Sequence, residues 1–445
     1  MDSSVFRYVG KVILSGGMPY RDTFDHKGPL LYLIQAAGMS LGSYGLWALE
    51  FLAMVITSLY LYKIARMFAG RKVSCVSVIC SSLILAEEFY GNMPEEYALP
   101  FLTVSLYIFL DYFNRSNITK WRLAVCGASC AAVALIRVNM CGLWVVMCVG
   151  VLIECIPKNR IREIAYDVFW FSLGFCVLAV PILLWLYVNQ VFEDFIQEYF
   201  LFNFLYSSPS TERASLENQL GAIYYFLLIT PMLFSFAVLL YRYMEKKKFV
   251  DLLLFFSYMF NLYLMCISGQ SYRHYGILLF PLVSYALTVF LSAFQTPEMK
   301  SAILVTVTLV SLTFSLDGIL MNVTSNGTRG LGYTGRTQIK IAQAVREHSE
   351  DSDRITVCGN LDSVYLLSDR WSVSKYSYQV PICFIGSEKS LKMQEEYFRD
   401  VETLKPKLIV LSFADFPAYD RMKELAEQSY ELVDVIDYYE IYVRR

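Results

Sequence analysis

A turn-rich stretch near the start of the chain carries six ionisable side chains. It begins with Gly16-Gly17 and ends with Gly28-Pro29, and glycine and proline at both ends favour a shaped loop. The ionisable residues are Tyr20, Arg21, Asp22, Asp25, His26 and Lys27. Carboxylates here could take a proton from a substrate hydroxyl, and cations could hold an anionic leaving group such as a phosphate. A merely solvated loop is the alternative interpretation.

The composition places this stretch in a membrane protein. The chain has 445 residues, is 56% hydrophobic and 18% charged, and has a mean hydropathy of +0.43. Soluble domains are about 45–50% apolar and about 25% charged. The formal net charge of -2 gives no basic excess for wrapping a polyanion, so no nucleic-acid partner is expected. Residues 336–445 hold 15 basic and 19 acidic side chains, which predicts a soluble tail after an apolar body.

Ten apolar runs are long enough to be membrane helices, because about 20 residues cross the ~30 Å hydrocarbon layer. They lie near residues 45–67, 73–88, 96–113, 122–136, 140–156, 165–188, 220–241, 250–268, 275–294 and 301–320. Basic residues crowd alternate loops, and the positive-inside rule makes those loops cytoplasmic. The other loops and the tail after residue 320 then lie outside. We therefore expect a multi-pass protein of the cell membrane with an extracytoplasmic C-terminal domain.

The same orientation puts residues 1–43 outside, although no span and no signal peptide precedes them. We therefore expect that a first transmembrane helix is missing from this chain, and spontaneous translocation of a short tail is the alternative. Within this segment, Val5, Phe6, Val9, Val12 and Ile13 share one helical face. That pattern predicts a helix lying in the membrane interface, with its apolar face toward lipid.

Several motifs resemble those of a known enzyme superfamily. The first is Asp2-Ser3-Ser4-x-Phe6-x-Tyr8-x-Gly10, followed by Gly17-x-Pro19-Tyr20-x-Asp22-x-x-Asp25-His26-Lys27-Gly28-Pro29-Leu30. It resembles the first periplasmic loop of bacterial GT-C glycosyltransferases related to family 39, which include protein mannosyltransferases and lipid A aminoarabinose transferases. Later motifs follow in the order of that superfamily: Gly91-Asn92-x-Pro94-Glu95-Glu96-Tyr97-Ala98-Leu99-Pro100, Ile136-Arg137-x-Asn139 and Arg273-His274-Tyr275. Together with the apolar runs, the resemblance implies an all-α polytopic membrane protein, with a GT-C-like transmembrane bundle and a small C-terminal α/β extracytoplasmic domain.

The resemblance also implies an activity. Such enzymes use an isoprenoid-phosphate sugar as donor and an external acidic residue just after the first span as base. This chain would then transfer a hexosyl or pentosyl group from a polyprenyl-phosphate donor to a glycan, lipid or protein acceptor of the cell envelope. Asp2 matches the position of the acidic residue and is the first candidate for the base, and Asp25 is the second. A solvated or loop-capping carboxylate is the alternative for each.

Cations and polar groups at external helix ends complete the candidate site. Lys27 is the leading contact for the donor phosphate, followed by Arg137, Arg273 and His274. A guanidinium matches phosphate bidentately, although either arginine could instead reach lipid headgroups. Asp22 and Glu96 are candidates for orienting the acceptor. Glu96 could instead only complement the positive N-terminus of its helix.

Dependence on a divalent metal ion is left open, and no other cofactor is assigned. Imidazole and carboxylate are suitable ligands, so His274 could share a metal ion with Asp25 or His26. Because no fixed ligand spacing is visible, a hydrogen-bonding role for His274 is favoured. Nine of the eleven cysteines fall in apolar stretches and are interpreted as small core residues. Cys358 and Cys383 in the tail could form a disulfide, but free thiols are favoured.

Two further regions lie outside the membrane in this topology. The loop 190–219 is rich in aromatic residues, which are interpreted as anchors at the membrane interface or, alternatively, as a lid over the site. In the tail, residues 355–358, 408–413, 430–435 and 439–443 read as strands, and 339–348 and 418–428 as helices. The predicted organisation is a first loop at 1–43, a transmembrane domain at 44–320, a linker at 321–337 and an α/β domain at 338–445. That domain is interpreted as an acceptor-binding or stabilising module.

Two other functional classes fit a membrane protein of this kind. One is a transporter or flippase of lipid-linked sugars, and the other is a non-catalytic envelope assembly protein. Transporters usually place ionisable groups in mid-span and contain internal repeats. Here the charged groups cluster at external helix ends and no repeat is visible. This pattern favours the enzyme over a transporter, and the motif resemblance favours it over an assembly protein.

Overall fold

The computed structural model describes residues 2–84, 91–115, 118–156, 161–208, 214–294, 297–324, 332–359, 361–384, 387–414 and 416–445, most of which are helical. The helices are α1 (Asp2–Leu14), α2 (Pro29–Ser40), α3 (Gly45–Arg66), α4 (Arg71–Ile84), α5 (Pro94–Arg115), α6 (Lys120–Ala134), α7 (Gly142–Cys155), α8 (Ile161–Val188), α9 (Phe192–Phe195), α10 (Phe202–Tyr206), α11 (Leu216–Leu228), α12 (Thr230–Lys246), α13 (Phe249–Cys266), α14 (Phe280–Ser292), α15 (Pro297–Thr324), α16 (Gly332–Glu347), α17 (Ser363–Ser368), α18 (Val380–Phe384), α19 (Glu388–Leu404) and α20 (Tyr419–Ser429). Short 3-10 helices cover Val138–Met140 and Arg273–Leu279, and a π-helical turn covers Ile196–Leu201.

Within the described part of the chain, four helical segments are long and apolar enough to cross a membrane. They are α3, Arg162–Val188 of α8, α13, and Arg273–Ser292, which joins a 3-10 turn to α14. The helices α11 and α12 form a further candidate that is bent by 86°. The mostly helical membrane protein predicted from the sequence is therefore confirmed, and the number of ten crossings stays a prediction.

The single span predicted at 220–241 is divided between α11 and α12. Ile229 between them is extended, with φ -67° and ψ 117°. Ile229 is the N-cap of α12, and Pro231 lies in the first turn of that helix, where its missing N–H costs no helical hydrogen bond. Of the span predicted at 73–88, residues 85–88 lie outside the described residues, and α4 covers the rest.

The small C-terminal sheet predicted from the sequence is present. Its strands are β1 (Arg354–Cys358), β2 (Trp371–Ser372), β3 (Leu408–Ser412), β4 (Tyr430–Ile436) and β5 (Tyr439–Arg444), in the order β2-β1-β3-β5-β4. The pairs β2-β1 and β1-β3 are parallel, and β5 is antiparallel to both β3 and β4. β1 after Arg354 and all of β3 are buried on both faces, as is typical of the central strands of a covered sheet. Apolar residues of α16 and α17 cover one face, and those of α19 and α20 cover the other.

The apolar face of α1 is buried in protein, which differs from the predicted exposure to lipid. Val5, Phe6 and Val9 are at most 2% exposed. Tyr8 and Val12 pack in the core on the α16 and α17 face of the sheet. An amphipathic stripe can be covered by lipid or by protein with the same sequence pattern, so the sequence alone cannot distinguish them.

The chain divides into two compact units. Unit 1 comprises Met1–Leu46, Trp185–Arg213 and Ser325–Arg445, and unit 2 comprises Trp47–Leu184 and Ala214–Thr324. Unit 1 thus combines the first predicted loop, most of the aromatic loop and the C-terminal domain. Unit 2 is a helical bundle in which α6 and α8 approach closely at Gly127 and Gly174. A Cβ at either glycine would collide with a backbone carbonyl of the facing helix.

Candidate functional site

The turn between α1 and α2, residues 15–28, has a defined backbone. Tyr20 has a positive φ of 70°, and its N–H donates to the carbonyl of Thr23 at 2.9 Å. The Asp22 carboxylate accepts from the backbone N–H of Met18 at 2.7 Å and forms an ion pair with Arg21 at 3.0 Å. These hydrogen bonds lower the pKa of Asp22, chiefly through the Arg21 side chain. Asp22 therefore shapes the turn, and its predicted role toward the acceptor stays a prediction.

Asp25 lies at the centre of a buried polar cluster. Its side chain is 1% exposed. One carboxylate oxygen accepts from the Tyr32 hydroxyl at 2.8 Å, and the other accepts from the backbone N–H of His26 at 2.8 Å. Tyr32 is in the first turn of α2, which begins at Pro29. Burial raises the pKa of the Tyr32 hydroxyl well above its usual range, so this hydroxyl stays protonated as a donor to Asp25.

Lys27 is held beside this cluster. Its backbone N–H donates to the Tyr32 hydroxyl at 3.0 Å, and its carbonyl accepts from the Tyr20 hydroxyl at 2.8 Å. Its Nζ lies 2.8 Å from His26 Nε2 and 3.9 Å from the nearer oxygen of Asp25. The side chain is 12% exposed, so a cation is fixed at the edge of the cluster with some access from outside. The structure thus brings together Asp25, His26 and Lys27.

A second group of predicted residues lies in unit 2. The guanidinium of Arg137 donates to the Glu95 carboxylate at 2.8 Å and lies 4.5 Å from the centre of the Tyr275 ring. Arg273 is exposed at the start of a 3-10 helix, and the His274 ring stacks on Tyr272 at 5.8 Å. Arg137 is therefore engaged by a carboxylate that was not among the predicted site residues.

Glu96 binds the turn that precedes α5. Its carboxylate accepts from the backbone N–H of Gly91 at 2.9 Å. Glu50, in α3, accepts from the backbone N–H of the next residue, Asn92, and hydrogen bonds to Glu96. Sequence reasoning missed Glu50, and its signal was a single acidic residue within an otherwise apolar run. Both carboxylates stabilise the positive φ of Gly91 and Asn92.

Two predictions have no test here. The side chain of Asp2, at the first residue of α1, lies outside the part of the chain that the structure describes. Among the described residues, no group of three or more His, Cys, Asp or Glu side chains could hold a metal ion. His26 Nδ1 lies 3.5 Å from Asp25 Oδ1 in unit 1, whereas His274 belongs to unit 2. A metal ion shared by these residues therefore stays a hypothesis, beside the hydrogen-bonding role that the sequence favours for His274. In the described chain every cysteine is a free thiol, Cys358 and Cys383 included.

Comparison with known protein families gives a match over most of the chain. Residues 3–311 match the model described as "Putative competence-induced protein Ccs4 N-terminal domain". The chain belongs to this Ccs4 family. The match does not point specifically to glycosyltransferase family 39. No curated protein matches the sequence.

Solved structures extend the comparison to the fold. ArnT from Cupriavidus metallidurans, bound to undecaprenyl phosphate, aligns over 99% of this Ccs4-family chain and 93% of its own, with a TM-score of 0.67 and 13% identity. The apo form of that ArnT gives a TM-score of 0.66 with 12% identity, and covers 99% of this chain and 92% of its own. The Archaeoglobus fulgidus oligosaccharyltransferase gives a TM-score of 0.54 with 12% identity, covering 92% of this chain and 64% of its own. At these identities the likeness shows that this chain shares the fold of these proteins.

Proposed function

We propose that this Ccs4-family protein is a membrane glycosyltransferase. It transfers a sugar from a polyprenyl-phosphate donor to a glycan, lipid or protein acceptor of the cell envelope, on the extracytoplasmic side. The observation that carries the proposal is the Asp25-His26-Lys27 cluster, in which a partly accessible cation sits beside a buried carboxylate. The fold supports the proposal, because this chain shares it with ArnT, a protein crystallised with undecaprenyl phosphate.

Lys27 has the role of neutralising the phosphate of the donor as charge develops on the leaving group. A cation that is already in place costs no reorganisation when the charge forms. Asp25, Tyr32 and Tyr20 fix the backbone on both sides of Lys27, so the Nζ is held in position. Arg273 and His274 are secondary candidates for donor contacts. Arg137 is a further candidate, with Glu95 holding its guanidinium.

The test is binding of undecaprenyl phosphate to the purified protein in lipid nanodiscs, measured by native mass spectrometry. Undecaprenol, which lacks the phosphate, is the matched ligand control. We expect Lys27→Ala to weaken undecaprenyl phosphate binding about tenfold or more, because it removes a charged contact to the phosphate. Its midpoint of thermal unfolding should fall, because the Lys27 side chain is mostly buried beside Asp25, so binding is compared at a temperature where the variant is folded.

The control variant is Lys392→Ala, which removes a lysine that is 76% exposed on α19 and paired only with an exposed glutamate among its described contacts. It should bind like the wild type. Equal binding of undecaprenol and undecaprenyl phosphate by the wild type, or wild-type affinity in a folded Lys27→Ala protein, would overturn the donor site proposed here.

A further inference from the structure

The C-terminal domain reaches the turn that carries Lys27. The backbone N–H of Phe24 donates to the carbonyl of Lys375 at 2.7 Å, and the hydroxyls of Thr23 and Ser377 are 3.4 Å apart. The Phe24 ring is fully buried and lies 5.6 Å from the Tyr376 ring. The backbone three residues before Lys27 is therefore fixed by a segment about 350 positions away in the sequence.

That segment is itself held on helix α19. The Ser374 hydroxyl donates to Asp400 at 2.6 Å, and the Tyr376 hydroxyl donates to Glu396 at 2.7 Å. Both acceptors lie on α19, whose apolar face packs in the core beneath the sheet. Residues 374–377 thus form a support that is tied to the folded domain on one side and to the Lys27 turn on the other.

The side chain of Lys375 connects residues 374–377 to the aromatic loop. Its Nζ lies 3.0 Å from one carboxylate oxygen of Glu198, whose side chain is 5% exposed. Glu198 lies in the π-helical turn Ile196–Leu201, and such turns are frequent at functional sites. Lys389 of α19 donates to the carbonyl of Gln197 in the same turn at 2.6 Å. Two lysines of the domain therefore hold this turn.

The aromatic loop in turn holds the residues next to Lys27. Asn203 follows the π-helical turn, and its side-chain amide donates to the carbonyl of His26 at 2.6 Å. The Phe202 ring lies 5.2 Å from Phe24 and 5.5 Å from the His26 ring. Three segments of unit 1 therefore contact one another in pairs. They are the turn that carries Lys27, the aromatic loop and residues 374–377.

We propose that Lys375 is a positioning residue for the donor phosphate. It acts through the π-helical turn Ile196–Leu201 and through the turn of residues 15–28 that carries Lys27. The proposal rests on the proposed function of Lys27 and gives the C-terminal domain a part in donor binding, in addition to any contact with the acceptor. Lys375 itself needs no contact with the donor. Its ammonium keeps the aromatic loop against the Lys27 turn, so the Lys27 Nζ is held where the phosphate arrives.

The test compares Lys375→Met, Lys375→Arg and the exposed control Lys392→Met in full-length protein in nanodiscs, without any acceptor. We expect Lys375→Met to weaken undecaprenyl phosphate binding about tenfold, because the charge-assisted hydrogen bond from Lys375 to Glu198 is lost. Lys375→Arg keeps a cation that can reach Glu198 and should restore most of the affinity. Amide hydrogen exchange of residues 20–27 should become faster in Lys375→Met and stay unchanged in Lys392→Met.

Each outcome has one meaning. If the wild type binds no undecaprenyl phosphate, the proposed function fails. If the wild type binds it and a folded Lys375→Met protein binds equally well, the proposed function stands and the positioning role of Lys375 is overturned. If Lys375→Met does not fold, Glu198→Gln removes the charge of the partner with almost no change in volume. Its affinity, compared with that of the wild type above pH 8 where the carboxyl has lost its proton, decides the question in the same way.

Discussion

The surroundings of Asp25 limit what its carboxylate can do. Asp25 is enclosed, and its two carboxylate oxygens already accept from the Tyr32 hydroxyl and the His26 N–H. A general base must come within hydrogen-bonding reach of the hydroxyl that it deprotonates. The geometry therefore suits Asp25 to holding His26 and Lys27. The role of base stays assigned to Asp2 by the resemblance of the first motif.

This division of roles predicts different defects in two isosteric variants. Asp2→Asn should lower turnover about 100-fold, the usual scale for removal of a general base, with donor affinity unchanged. Asp25→Asn should mainly weaken donor binding, because the carboxylate that faces His26 and Lys27 is lost. For each variant, turnover of a polyprenyl-phosphate sugar is measured with a competent acceptor, and donor affinity is measured separately. Near-normal turnover in Asp2→Asn together with an inactive Asp25→Asn would assign the base to Asp25.

The π-helical turn carries a titratable group that gives a pH dependence. Burial raises the pKa of Glu198 to about 8, although Lys375 and Lys389 oppose this shift and Asp194 adds to it. Tyr20 and Tyr376 also face this carboxyl. Between the ordinary carboxyl pKa and pH 8, the unfolded chain has released the proton that the folded chain keeps. The free energy of unfolding should therefore fall as the pH rises through this range.

Glu198→Gln tests this dependence at the same position. The amide does not titrate, so its midpoint of thermal unfolding should lose less than that of the wild type between about pH 5 and pH 8. Lys392→Met, which alters an exposed ion pair, should follow the wild type. Parallel curves for the wild type and Glu198→Gln would mean that Glu198 does not titrate in this window.

Local patterns were enough to predict most elements of the C-terminal sheet. β1, β3, β4 and β5 fall on apolar runs that can be recognised without tertiary information. β2 is only two residues long, too short to give a pattern. α19 was missed although it carries a signal, since the Ser387 side chain caps its first turn and Met393, Tyr397 and Val401 recur every four residues.

The contacts around Lys27 could be predicted only in part. The motif marked Asp25, His26 and Lys27 because those residues are adjacent in sequence. The pair Glu198 and Lys375 is separated by 177 positions, and neither residue belongs to a local pattern. Arg137 was predicted as a phosphate contact without Glu95 as its partner, because the two are 42 positions apart. Pairings of this kind are set by the tertiary fold.

The three segments that make up unit 1 bear on the orientation of the whole chain in the membrane. Its segments Met1–Leu46, Trp185–Arg213 and Ser325–Arg445 are separate in sequence, and the distribution of basic residues assigns nearly all of each to the outside. Parts that fold into one compact unit must lie on the same side of the membrane. The assignment of these three segments to one side therefore agrees with the fold, and the outer side stays a prediction.

Cysteine labelling tests this orientation directly. Glu427 is exposed on α20 in unit 1, and Lys246 is exposed at the end of α12 in unit 2, in a basic loop. In intact cells, Glu427→Cys should react with a membrane-impermeant maleimide, because the positive-inside rule puts the tail outside. Lys246→Cys should react only after lysis. The parent protein controls for native thiols, of which Cys75 and Cys176 are exposed and Cys358 is buried. The reverse pattern would put Lys27 on the cytoplasmic side, where the proposed extracytoplasmic transfer could not occur.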